Sequence, residues 1–189
     1  MVYFSSMLRA MKHQSIISQY LSQSFPLWSA RNKREYFTIP LDWRKTLFDT
    51  GSLTAQLITI SDGDFSVQVL WQGWRKISQQ EALQLNCTNN SVAWCRDVVL
   101  KVKGEARVYA RTCMPKSTLT GHESQLRNLG NKPLGAYLFN HPHMRRGEMS
   151  AYRIPHNELS LSWARRSVFY LQQKPLLVTE AFTQPLPPQ

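Results

Sequence analysis

The chain has 189 residues, 42% hydrophobic and 19% charged, which suits one globular domain and excludes a disordered or fibrous composition. No apolar run approaches the ~18–20 residues of a membrane span, so membrane insertion is not expected. The formal net charge is +11, from 23 Lys+Arg against 12 Asp+Glu, and admits nucleic acid, an anionic membrane or a small acidic substrate as partner.

The basic residues come in short clusters such as Lys33-Arg34, Arg145-Arg146 and Arg165-Arg166. They read first as a basic surface and second as a steering field for an anion. The three cysteines, Cys87, Cys95 and Cys113, include no C-x-x-C pair, so they suggest neither a disulfide framework nor a zinc site and fit a reducing, cytoplasmic setting.

Residues 1–38 lack the apolar core of a signal peptide and read as an N-terminal segment, helical or loosely ordered. A single domain is expected over 39–184, with a Pro-rich tail at 185–189. Region 41–60 carries apolar pairs four apart, Trp43 with Leu47 and Leu53 with Leu57, interrupted by Asp49-Thr-Gly-Ser52. That pattern predicts two short helices joined by a tight turn.

After Asp62-Gly-Asp64 the period changes to two. Phe65, Val67, Val69 and Trp71 share one strand face, and a polar loop is expected over 75–91. Strands 92–102 and 105–113 follow, joined as a hairpin at Lys103-Gly104. Thr120 and Glu123 match a capping box for a helix that ends at Gly130. Pro133 then opens a short helix through Phe139, which makes a second helix-turn-helix. Strands return near 148–154, 166–172 and 175–183. Consecutive strands with the helices gathered in two insertions predict an α+β fold on an antiparallel sheet.

Two charges fall on apolar strand faces. Arg96 shares its parity with Trp94, Val98, Leu100 and Val102, and Glu180 shares its parity with Leu176, Val178 and Phe182. An arginine cannot shed its charge, and an unpaired buried ion costs several kcal/mol. Arg96 therefore pairs with Glu180, reaches water at a strand end, or grips a ligand carboxylate. Parity leaves these three open. Cys95, on the opposite face from Arg96, reads as a packed thiol.

At these same residues the sequence resembles the chorismate pyruvate-lyase family. The resemblance rests on Trp94-Cys-Arg-Asp-Val-Val-Leu100, on Ala110-Arg-Thr-Cys-Met-Pro-Lys-Ser-Thr-Leu119 and on Leu129-Gly-Asn-Lys-Pro-Leu-Gly-Ala-Tyr-Leu-Phe139. It continues through Ala164-Arg-Arg-Ser167 and Lys174-Pro-Leu-Leu-Val-Thr-Glu-Ala-Phe182, so that it covers roughly 40–183. It implies a cofactor-free enzyme that converts chorismate to 4-hydroxybenzoate and pyruvate, in a buried site covered by two helix-turn-helix flaps.

It also implies that Arg96 and Glu180 contact the ligand as the catalytic pair, with a backbone contact at Leu134 and an apolar contact at Leu53, where the family has methionine. Ala136 stands where a familiar member has arginine. The implied partners are chorismate and 4-hydroxybenzoate, with no metal, no specific nucleic acid, and a monomer expected. A non-catalytic effector-binding domain of the same fold is the competing reading. His141-Pro-His143 and Asp62-Gly-Asp64 read as surface and turn rather than as metal sites.

Overall fold

A computed structural model describes residues 17–22, 28–29 and 33–187. In chain order these form the helical segment α1 (17–22), strand β1 (Trp28–Ser29), and helices α2 (Lys33–Thr38), α3 (Leu41–Phe48) and α4 (Leu53–Ile60). Strand β2 (Phe65–Lys76), helix α5 (Gln79–Gln84) and strands β3 (Val92–Val102) and β4 (Glu105–Pro115) follow. A 3-10 helix (Gly121–Asn128) and helix α6 (Leu134–Phe139) lead to strands β5 (Met144–Arg146), β6 (Ser150–Arg153), β7 (Trp163–Leu171) and β8 (Lys174–Phe182). Of the segment 1–38, α1, β1 and α2 are described, and the rest of that expectation lies outside the described residues.

The architecture is α+β on one eight-stranded antiparallel sheet, in the order β1-β6-β7-β8-β4-β3-β2, with β5 pairing the far half of β7. The β3–β4 hairpin turns at Lys103 (φ +52°) and Gly104 (φ +78°), the double left-handed turn whose twist matches its strands. Gly130 (φ +54°) closes the 3-10 segment as expected of a helix-terminating glycine.

Both faces of the sheet are covered. On one, Leu47, Leu53 and Leu57 of α3 and α4 pack on Val67, Val98 and Phe182. Beside them Leu126, Leu134 and Leu138 pack on Met114, Phe169 and Val178. On the other face, Ala82 of α5 packs on Cys95, Cys113 and Leu177, and Ile17 and Leu21 of α1 pack on Tyr152, Ala164 and Ala181.

Several details differ from the sequence pattern. A bulge between Val69 and Trp71 puts Trp71 opposite Asp97 and into the α5-side cluster, away from Val67. The bulged strand takes one extra residue, and every side chain beyond it changes face. The expected polar loop 75–91 instead holds the end of β2 and α5, nucleated by a Ser78/Glu81 capping box with both reciprocal hydrogen bonds made. The capping box is not made: the Thr120 hydroxyl donates back to Ser117 O at 3.1 Å, the Glu123 carboxylate takes Lys174 Nζ at 2.5 Å, and the segment is 3-10. Pro133 is the N-cap of α6 rather than its first residue. The strand expected at 148–154 is β6, shorter at Ser150–Arg153, and β5 at Met144–Arg146 is a further strand that the pattern did not show.

The doublet Arg165-Arg166, which resembles surface charge in the sequence, is buried at 2% and 1% exposure, one guanidinium on each face of β7.

Candidate active site

The two helical insertions, α3–α4 and the 3-10 helix with α6, lie on the same face of the sheet and meet above it. Between them and the strands is a chamber of about 50 Å³. Its floor carries Val98, Thr112 and Val178, and its roof Leu53, Thr54, Leu134 and Leu138. Four charged side chains line it: Arg96, Arg146, Arg165 and Glu180.

Each expected residue therefore reaches this chamber, but Arg96 and Glu180 are not partners. Arg96 Nη2 donates to Gly130 O at 2.7 Å and Lys132 O at 3.0 Å, the loop that leads into α6. Its Nε is buried and has no partner among the described residues. Desolvation pushes this guanidinium down to about 10, as expected where no carboxylate compensates the charge. The structural ion bridge that parity allowed is thus absent, and Arg96 keeps an unspent donor.

Glu180 has its own counter-ion. Arg165, its cross-strand neighbour on β7, donates from Nε to Glu180 Oε2 at 2.6 Å, and Arg146 Nη2 lies 3.9 Å from the same oxygen. Arg165 Nη1 also donates to Thr46 O at 2.8 Å and Asp49 O at 3.3 Å at the end of α3. A guanidinium there satisfies carbonyls that the helix leaves open. One arginine therefore ties each insertion to the sheet, Arg165 to α3 and Arg96 to the loop before α6.

The ladder fixes the span of the site. Arg96 is opposite Thr112, and Glu180 is opposite Ala110, two residues away on the same strand β4. Two strand spacings and two residues put the Cα atoms roughly 12 Å apart. Both side chains reach inward to the same chamber from opposite ends of that span.

Leu53 is 5% exposed, and Leu134 is 9% exposed. Each begins its helix, α4 or α6, so neither backbone N–H has a carbonyl four residues back within its own helix. Gly135 marks where the two insertions touch: a Cβ there would lie 2.4 Å from Thr54 Oγ1.

Sequence reasoning missed Arg146 and Arg165 as chamber residues. A usable signal existed, since two adjacent arginines inside an apolar strand must point one to each face. On the opposite face it also missed a second buried charge cluster. Arg111 grips Asp97 with two 2.8 Å hydrogen bonds and lies 3.6 Å from Glu81. Cys95 is packed there, its sulfur 3.4 Å from that of Cys113. Among the described residues no three His, Cys, Asp or Glu side chains converge as a metal site requires, and no helix is long and apolar enough to cross a membrane.

The chorismate lyase family profile matches residues 26–187. The chain is 36% identical over 167 residues to the probable chorismate pyruvate-lyase 2 of Pseudomonas fluorescens, covering 83% of this chain and 88% of the relative. It is 41% identical over 135 residues to the probable chorismate pyruvate-lyase of Marinobacter nauticus, covering 69% and 70%. Among solved structures, the possible transcriptional regulator YydK from Bacillus subtilis superposes with a TM-score of 0.50 at 16% identity, over 69% of this chain and 63% of that one. That likeness concerns the fold alone.

Proposed function

The chain belongs to the chorismate lyase family, and from that membership and the chamber we propose that it is a cytoplasmic chorismate pyruvate-lyase, a carbon–oxygen lyase. It converts chorismate to 4-hydroxybenzoate and pyruvate, the first committed step toward ubiquinone, and acts as a monomer without a metal or organic cofactor. The observation that carries this reading is the buried Nε of Arg96, unpartnered among the described residues, on a chamber that also holds Glu180.

In this reading Arg96 binds the ring carboxylate, and Glu180 accepts a hydrogen bond from the 4-hydroxyl. The Leu134 backbone N–H and the Leu53 side chain complete the contact. The chemistry removes the ring hydrogen at C4 and breaks the ether bond at C3. The pair of electrons from the C–H bond completes the aromatic ring, while the ether pair leaves with enolpyruvate, which takes up a proton at its methylene carbon and becomes pyruvate. Glu180 lies beside the hydrogen that leaves, so it positions the ring first and serves as proton acceptor second. Aromatisation supplies much of the driving force, and the chamber supplies orientation and exclusion of water.

A chamber of about 50 Å³ has room for only a few waters, so ligands pass when the insertions part as flaps. The product retains the ring carboxylate held by Arg96, which supports release-limited turnover and product inhibition. The net charge of +11 steers the dianionic substrate.

The test is pyruvate release from chorismate by Arg96→Ala and Glu180→Ala. Loss of the carboxylate contact is expected to lower kcat/KM by at least ~100-fold, and loss of Glu180 by ~10²–10⁴-fold if it accepts the proton. Near-normal turnover by both folded variants would sink the site assignment.

A further inference from the structure

The chamber contains more positive charge than one ring carboxylate requires. Three guanidinium groups face one carboxylate, an excess of two positive charges over Arg96, Arg146, Arg165 and Glu180. Arg165 is consumed by Glu180 and by the carbonyls of Thr46 and Asp49.

Arg146 is held more loosely. Its Nε donates to Ser167 Oγ at 2.9 Å and its Nη1 reaches Asp49 O at 3.3 Å. Its Nη2 has only the 3.9 Å approach to Glu180 among the described residues. Burial first, then repulsion from Arg165, push this guanidinium down to about 10 despite Glu180, so its surroundings favour a further anion. Its side chain is 11% exposed, screened from water but on the chamber wall. Across the sheet the order is Arg96 on β3, Glu180 on β8, Arg165 on β7 and Arg146 on β5.

We propose that Arg146 binds the second carboxylate of the substrate, the one on the enolpyruvyl arm, so that the chamber selects a dianion with Arg96 at one end and Arg146 at the other. The proposal rests on chorismate as the substrate. The chemistry of that molecule supplies the match. The arm is attached at C3, next to the C4 hydroxyl that Glu180 receives, so its carboxylate falls beside Glu180 on the side away from Arg96. Arg146 is the guanidinium there with an unspent donor. In the elimination it holds the departing enolpyruvate while charge grows on the ether oxygen. The product 4-hydroxybenzoate has no such arm, so it makes no contact with Arg146.

The test compares chorismate with 4-hydroxybenzoate on Arg146→Gln and Arg146→Lys. For Arg146→Gln, kcat/KM for chorismate is expected to fall roughly 100–1000-fold, while the Kd of 4-hydroxybenzoate stays within about threefold of wild type. Arg146→Lys keeps the charge without the two-pronged geometry and falls between. Product binding also reports that the chamber has formed, and if Arg146→Gln does not fold, the same pair of readouts on Arg146→Lys decides. Unchanged chorismate kinetics, or product binding that weakens in step with them, would overturn the assignment. A wild-type chain with no turnover would refute the lyase reading instead, and equilibrium binding of chorismate against 4-hydroxybenzoate to wild type and variant would still decide the role of Arg146.

Discussion

Replacing Gly135 with alanine should prise the flaps apart without unfolding the domain. The new methyl would lie 2.4 Å from Thr54 Oγ1, 3.1 Å from Thr54 Cβ and 3.5 Å from Ser52 Oγ. Non-bonded heavy atoms prefer about 3.5–4.0 Å, so the flaps must separate by about 1 Å or Thr54 must rotate. Rotation moves Oγ1 but not Cβ, and it works against the narrow χ1 choice of a threonine inside a helix.

Overpacking of this kind costs about 1–3 kcal/mol, charged only to the closed arrangement. The ratio of closed to open flaps should therefore fall by ~5–150-fold. Alanine also favours helix α6 by about 1 kcal/mol in both arrangements, so overall stability should change little. The assay is 4-hydroxybenzoate affinity by titration and its release rate by stopped flow. Affinity should weaken by ~5–150-fold, release should accelerate, and adding Thr54→Ala should restore part of the loss. Wild-type affinity and release in a folded Gly135→Ala protein would refute the flap-contact argument.

Two further outcomes follow from buried charges away from the ligand. Asp97→Ala leaves Arg111, 2% exposed, with only Glu81 at 3.6 Å as a carboxylate neighbour, and should cost roughly 3–5 kcal/mol in urea unfolding; a shift below about 1 kcal/mol would contradict it. Lys174 Nζ holds the 3-10 segment through Glu123 Oε2 at 2.5 Å and Thr120 O at 2.8 Å, with His141 Nε2 3.6 Å from Glu123. Burial alone would raise the Glu123 carboxyl, but the hydrogen bonds from Lys174 and the backbone, with the charges of Lys174 and His141, hold it below its ordinary 4.5. A carboxyl lowered by folding stabilises the folded form above its unfolded value and loses that contribution as pH falls through the folded one. Amide protection of residues 121–128 should thus hold above pH about 4.5 and decline below it, and Glu123→Gln should remove that dependence; an identical decline in the variant would count against the latch.

Much of this was legible in the residues because local rules govern it. The hairpin at Lys103-Gly104, the stop at Gly130 and the two helical insertions follow from backbone chemistry that acts over a few residues. Parity found Arg96 and Glu180 because a charge on an apolar strand face is visible locally. What each pairs with was not visible. The acceptors for Arg96 lie 34 and 36 residues away in a loop, and Glu180 is met by an arginine that only the β7–β8 register brings opposite it. Arg146 is set in place by a three-residue strand on a shared edge of β7, which no periodicity announces. Trp71 was misplaced because one bulged residue inverts every face after it. On the opposite face Asp97 and Arg111 sit on different strands, 14 residues apart, and their pairing exists only in three dimensions.

Chorismate incubated with the purified full chain, with 4-hydroxybenzoate followed by absorbance and pyruvate by a coupled assay, tests the central assignment most directly. The expected result is equimolar appearance of the two products without added metal or cofactor, with a rapid first turnover followed by slower, product-inhibited cycles. Chorismate that remains unchanged beyond its spontaneous decay, with a folded protein and a full complement of wild-type residues, would contradict it.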